Sequence, residues 1–376
     1  MTGCTLAYVD DSRPGITRKR RGRYWMYFDA DGKRITDRGE IERLNAVGMP
    51  PAYENCWFCP DPTGHIQAIG FDAKGRKQYR YHAQFREQQE TLKYERLARF
   101  GRCLPKLRKR LEEDLKGRPT ARETVLAAVV RLIDETRMRI GNEEYARTNK
   151  SFGATTLRNR HAKVQAGKLK ITYKGKHGIQ RTVTVSDRNL ARIAKRTQDL
   201  PGQHLFEFVT EEGCVCPVTS SDVNAYIKEA MGEEFTAKDF RTWGASAIAF
   251  EEMVKRIEKH GSVKLKSVIE PVAEALGNTP AISRKSYVHP ALIEAAKDAG
   301  AIGGRKLPRS TQHLSRYERG LIEFLEALPE EQEKLAGDDG ARAEAEVKLE
   351  PRRGRLSLAL PSPTAIEPRP WSATAT

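Results

Sequence analysis

Apolar positions along this chain change their period several times, and each change marks an expected element. Between residues 23 and 82 they come in short runs broken by turn residues: RYWMYF, an Asp31-Gly32 turn, CWF, HIQAIGF and KQYRYH. Runs of that length and composition predict strands, so this part is expected to be a small β-rich domain with a few helices. From residue 83 the stretch FREQQETLKYERLARFGRCLPKLRKRLEEDL alternates charged and apolar side chains at helical spacing, and it is expected to join two domains. In RETVLAAVVRLIDETRMRIG, the residues Val125, Val129, Leu132 and Ile133 fall on one helical face. That face belongs in a core, and Gly141 is the expected stop. Residues 168–185, KLKITYKGKHGIQRTVTV, alternate on both sides of a Gly-Lys-His-Gly turn, which predicts a hairpin with a lysine at its tip.

The rest of the ordered chain reads as helices: RNLARIAKRT, SDVNAYIKEAM, TAKDFRTWGASAIAFEEMVKRIEK, KSVIEPVAEALG, the segment carrying Tyr287, and a last one near 312–328. Beyond residue 331 the composition turns to Ala, Glu, Gly, Pro and Arg, too poor in regular apolar positions to build a core, so a disordered tail is expected. The expected fold class is α+β, with a β-rich domain over 1–90, a mostly helical domain holding the hairpin over 91–330, and the tail over 331–376. A chain of 376 residues is long enough for two such cores.

Charge narrows the choice of partner. The chain carries 66 Lys and Arg against 50 Asp and Glu, a net +16, which favours a polyanion and nucleic acid first among them. Charge alone leaves an unspecialised basic protein open. No stretch approaches the apolar length of a membrane span, and MTGCTLAYVDDSRPG has no signal-peptide core, so no membrane partner and a cytoplasmic location are expected. The six cysteines are expected to stay thiols. Cys56-x-x-Cys59 is half of a zinc site, but Cys214-x-Cys216 makes an awkward second half and His65 sits in a turn. Asp29, Asp31, Asp37 and Glu40 have calcium-loop spacing, yet Lys33 and Arg34 stand where that loop needs an oxygen ligand and a glycine. A turn is the simpler reading. There is no phosphate-binding G-x-x-x-x-G-K-[ST], no H-E-x-x-H and no cluster of carboxylates for magnesium, so no metal and no cofactor are expected.

Phosphate chemistry would then fall to side chains. Arginine suits it, being planar, multidentate and always charged, and able to hold the oxygens of a phosphoryl transition state. Arg139 in MRIG, Lys176 in YKGKHG, Arg241 in KDFRTWGAS and Tyr287 in LGNTPAISRKSYVHP are the segments with unusual local chemistry. Singly, each has an ordinary explanation as a cap, a solvated turn residue, an ion-pair partner or a core aromatic. As an ordered set, they resemble the catalytic domain of type IB DNA topoisomerases, most nearly the poxvirus and bacterial branch. SFGATTLRNRHAKV and GRKQYRYH also resemble that family's segments, and the likeness runs from about residue 20 to 325.

The resemblance implies an enzyme that relaxes supercoiled DNA by transient cleavage and religation of one strand, without ATP or metal. Tyr287 would be the nucleophile forming a 3'-phosphotyrosyl link. Arg139, Arg241 and Asn278 would hold the non-bridging oxygens, Lys176 would protonate the leaving 5'-oxygen, and Lys238 would assist it. Asn278 departs from the pattern, because the family commonly has a histidine nine residues before the tyrosine. An amide donates a hydrogen bond but neither carries charge nor shuttles a proton. For DNA contact the resemblance implies Gln78, Tyr79 and Tyr81, with Arg76 and Lys77 available for phosphates and Tyr145 near the backbone. The implied partner is duplex DNA, preferably supercoiled, clamped by a monomer. Two alternatives stay open: a tyrosine recombinase, although that group places His where Lys238 stands, and a non-catalytic DNA-binding protein of the same fold.

Overall fold

Cations build the first strand. In this computed structural model, which describes residues 5–298, 302–303 and 306–328, β1 (Ile16–Arg21) pairs antiparallel with β2 (Tyr24–Phe28). The expected tail over 331–376 lies outside the described residues. The apolar pattern did not predict β1, because Ile16 is its only buried position and ITRKRR otherwise reads as a solvated run. Arg18 explains its place: the guanidinium lies 4.0 Å from the Trp25 ring centroid and donates to the carbonyls of Met49 at 3.0 Å and Pro50 at 2.6 Å. A cation whose flat group covers an aromatic face behaves as part of the core.

After α1 (Arg38–Ala46), the strands β3 (Glu54–Phe58), β4 (Ile66–Phe71) and β5 (Lys77–Tyr81) complete an antiparallel sheet in the order β2-β1-β3-β4-β5. Its core gathers Ile16, Tyr27, Leu44, Met49, Phe58 and Ala68. Asp29 is used as a turn residue, its carboxylate accepting the amides of Asp31 at 3.1 Å and Lys33 at 2.8 Å. Cys56 and Cys59 are buried free thiols, and His65 accepts the Val9 amide. Among the described residues no group of three or more His, Cys, Asp or Glu is gathered to hold a metal, and no helix is long and apolar enough to cross a membrane.

From β5 the chain passes directly into α2 (Ala83–Asp114), followed by α3 (Arg122–Thr136). Val125, Val129, Leu132 and Ile133 are buried as expected, but so are Leu126, Ala127, Ala128 and Val130. This helix is enclosed on nearly every side. It also stops earlier than Gly141: Arg137 takes the left-handed conformation at φ 54° and caps it. The Thr136 hydroxyl bonds back to the Leu132 carbonyl at 2.6 Å and accepts the Met138 amide at 3.3 Å, so side-chain bonds satisfy the helix end and the chain can leave.

There follow α4 (Glu143–Asn149) and a three-stranded antiparallel sheet of β6 (Ala162–Gln165), β7 (Lys168–Lys174) and β8 (Gln180–Val185). Next come α5 (Arg188–Gln198), the small pair β9 (Glu207–Val209) and β10 (Val215–Pro217), and α6 (Ser220–Met231). The remaining helices are α7 (Asp239–His260), α8 (Leu265–Leu276), α9 (Pro280–Ser286), α10 (Pro290–Ala295) and α11 (Arg316–Glu326). One core joins them, with Phe100, Leu104 and Leu107 of α2 against Phe240 and Phe250 of α7. Arg108 ties α2, α3 and α11 together, pairing with Asp134 at 2.9 Å and Glu318 at 2.8 Å. Arg108 alone balances two nearly buried carboxylates, so removing it would leave both uncompensated, a loss of about 3–5 kcal/mol. The architecture is α+β.

Candidate active site

Helix ends converge on one arginine. Arg241, in the first turn of α7, is only 4% exposed, and burying a guanidinium is costly unless its donors are met. One terminal nitrogen donates to the Arg137 carbonyl just past α3, the other to the Leu276 carbonyl at the end of α8 at 3.2 Å. Carbonyls at helix C-termini lack intrahelical partners and carry partial negative charge, so they suit a cation. Gly244, mid-helix in α7, makes room for the first of these arms: a Cβ there would stand 2.6 Å from Cγ of Arg137.

Asn278 is fixed by the turn that ends α8. Gly277 adopts φ 60°, and a Cβ on it would strike the guanidinium of Arg181 at 2.2 Å. Arg181, from β8, donates to the Ala275 carbonyl at 2.9 Å and so ties the hairpin sheet to this turn. From the extended segment after α3, Arg139 donates to Oδ1 of Asn278 at 2.8 Å. A guanidinium can only donate, so the amide oxygen must face it and the amide nitrogen must point elsewhere. That nitrogen is buried without a hydrogen-bond partner among the described residues, as is Nε of Arg241. Each unmet buried donor costs about 1–3 kcal/mol until an acceptor arrives.

Tyr287 follows α9, which opens on the Thr279 cap and Pro280. Its amide donates to the Ser283 carbonyl at 3.2 Å, and its own carbonyl accepts from the Ser246 hydroxyl at 3.4 Å. The ring centroid lies 5.0 Å from Cζ of Arg241. Burial pushes the phenol's pKa up, but Arg241, Arg139 and Lys176 outweigh it and hold the group below the ordinary tyrosine value. The positive field thus favours phenolate. Burial, and then the charge of Arg139, press the pKa of Arg241 down.

Lys176 is exposed in the short turn between β7 and β8, as its sequence context predicted, and its charge reaches Tyr287. Lys238 is exposed at the start of α7. Its charge is felt by Lys93 of α2, which also feels Tyr287. Sequence reasoning missed Lys93, Arg181, Arg137 and Ser246, since nothing in their local spacing separates them from the chain's many other polar residues.

The predicted DNA contacts fall into two groups. Lys77, Tyr79 and Tyr81 lie on the outward face of β5, an edge strand, with the two rings stacked at 5.8 Å and each 40% exposed. Lys77 also pairs with Asp11. Arg76 and Gln78 instead turn to Asp72, at 2.6 and 3.2 Å, and Arg76 lies 5.5 Å from the ring of Tyr145 in α4. Phosphate contacts by that pair would compete with Asp72.

Comparison with known proteins follows the same division. Residues 82–307 match the family described as eukaryotic DNA topoisomerase I, catalytic core, and residues 24–72 match the bacterial DNA topoisomerase IB N-terminal domain. A DNA topoisomerase 1B of Acanthamoeba polyphaga mimivirus is 35% identical over 73% of this chain and 85% of its own. The DNA topoisomerase 1B of Vaccinia virus (strain Copenhagen) is 26% identical over 72% of this chain and 90% of its own. Among solved structures, the XerH site-specific recombinase bound to its difH substrate covers 52% of each chain at 22% identity, with a TM-score of 0.33.

Proposed function

The chain belongs to the type IB DNA topoisomerase family, and from that premise we propose that Tyr287 cuts and rejoins one strand of duplex DNA. The phenolic oxygen attacks phosphorus, the bond to the 5'-oxygen breaks, and a 3'-phosphotyrosyl ester forms. The phenol's proton leaves to water, since Asn278 cannot take it. Lys176, assisted by Lys238, gives a proton to the departing 5'-oxygen. The free end turns about the intact strand, supercoils relax, and the same groups run backwards to reseal. The ester conserves the energy of the bond that it replaces, so the cycle consumes no nucleotide.

The observation that carries this reading is the pair of buried, unpaired donors, Nδ2 of Asn278 and Nε of Arg241, beside a phenol with lowered pKa. They are the complement of non-bridging phosphate oxygens that gain charge in the transition state. Lys77, Tyr79 and Tyr81 would grip the duplex from the sheet, with Arg76, Gln78 and Tyr145 joining after Asp72 yields. A β-rich domain to about residue 90 and a helical domain over 91–330 would close as a monomeric clamp, preferring supercoiled DNA at the cytoplasmic nucleoid. The test is relaxation of a supercoiled plasmid in EDTA without ATP. Wild type relaxes it and Tyr287→Phe does not; an inert wild type or an active Phe variant refutes the proposal.

A further inference from the structure

Lys93 differs from the other cations around Tyr287. It stands three turns into α2, an element that carries none of the residues assigned to catalysis, and it reaches the nucleophile through the backbone. Its ammonium donates to the carbonyl of Ser286 at 3.1 Å and lies 4.0 Å from the ring centroid of Tyr94. The Tyr94 ring in turn packs edge-on against His289 at 5.1 Å. Ser286 ends α9, so the carbonyl that Lys93 holds belongs to the peptide unit leading into Tyr287.

The two peptide planes that flank a residue fix the direction of its Cα–Cβ bond. Here both are held. The plane before Tyr287 is held by Lys93 at its oxygen and by the Ser283 carbonyl at its amide; the plane after it is held by Ser246 at the Tyr287 carbonyl. Ser246 also accepts the His289 amide at 3.1 Å, which secures the chain on the far side. Immobilising a lysine loses rotamer freedom, and partial burial of its charge adds to that cost. A surface lysine has no need of such a place.

We propose that Lys93 is a positioning residue for the nucleophile: it orients Tyr287 through the Ser286 carbonyl, touches no DNA and supplies no proton to the leaving group. The inference rests on Tyr287 being the nucleophile, and the test separates the two.

The experiment is single-turnover cleavage of a duplex oligonucleotide by excess enzyme, with the rate constant taken for the fraction that forms covalent adduct. That constant is independent of how much enzyme is folded. Lys93→Met should bind DNA with affinity within about twofold of wild type and cleave at least about tenfold more slowly, since a misplaced attacking atom costs up to about a hundredfold. A substrate with a bridging 5'-phosphorothiolate, which needs little protonation on leaving, should not restore the rate. Lys93→Arg, able to reach the same carbonyl, should recover to within about threefold. Cleavage at the wild-type rate by Lys93→Met overturns the proposal. Rescue by the thiolate overturns it in favour of a general acid, and lost affinity with an unchanged rate overturns it in favour of a DNA contact. If Lys93→Met does not fold, the comparison passes to Lys93→Arg and Lys93→Gln, one atom shorter. Arginine should stay near wild type and glutamine should be slow; equal rates refute the proposal. An inactive wild type, or cleavage by Tyr287→Phe, would instead sink the reading of Tyr287 itself.

Discussion

At the scale of the residue, Asn278 matters for what an amide can offer and a carboxylate cannot. Its oxygen takes the bond from Arg139, and its nitrogen remains a buried donor without a partner. Asn278→Asp keeps the shape and strengthens the pairing with Arg139, but it replaces the donor with negative charge beside the phosphate. Single-turnover cleavage should slow by about a hundredfold or more, the range seen on losing a transition-state donor, while thermal stability holds. Wild-type cleavage by Asn278→Asp would remove Asn278 from the oxygen-binding set. Arg139, Lys176, Arg241 and Tyr287 stood out in the sequence because, in that order, they resemble the catalytic set of type IB topoisomerases. Which of them pair was not legible. The bond between Arg139 and Asn278 crosses 139 positions and is made by tertiary packing. Lys93 sits in a helix crowded with other charged residues, and its bond to the Ser286 carbonyl leaves no trace in local spacing.

At the scale of the element, helix ends do the positioning, and there the sequence was least informative. A glycine read as a stop put the end of α3 at Gly141, whereas the helix ends at Thr136 and Gly141 serves a different purpose. With φ 102°, it lies against Gly153, where a Cβ would come within 2.4 Å of the Arg139 carbonyl. The turn of Arg137 depends on a glycine that looks unhelpful in its own helix. Replacing Gly244 by alanine gains up to about 1 kcal/mol of helix propensity. It also places a Cβ 2.6 Å from Cγ of Arg137, whose carbonyl anchors Arg241. The collision involves the near end of the side chain, so it should win: Gly244→Ala should melt several degrees lower and cleave more slowly. A variant as stable and as fast as wild type would show that Arg137 is not a support. The strand β1 escaped notice for the opposite reason, since its stabilising group is a cation on an indole face and leaves no apolar period.

At the scale of the whole molecule, two hydrophobic cores are joined by α2, which leaves the edge strand β5 and carries Lys93 to the Ser286 carbonyl beside Tyr287. The division into a strand-rich and a helical part was legible because the hydrophobic period changes near residue 83 and loop composition marks the strands. Phe85, two residues beyond the start of α2, packs on Tyr81 at 5.5 Å, so the face proposed to grip DNA and the helix proposed to position Tyr287 share one contact. The proposed chemistry rests on one tyrosine, and the most direct measurement is to identify the residue that becomes attached to DNA. Cleavage on a duplex is stopped with detergent, the adduct is digested with protease and nuclease, and the modified peptide is sequenced by mass spectrometry. The account predicts a nucleotide joined through its 3'-phosphate to Tyr287, in the presence of EDTA and without ATP. Attachment to another residue, a link through the 5'-phosphate, or no adduct at all would contradict it.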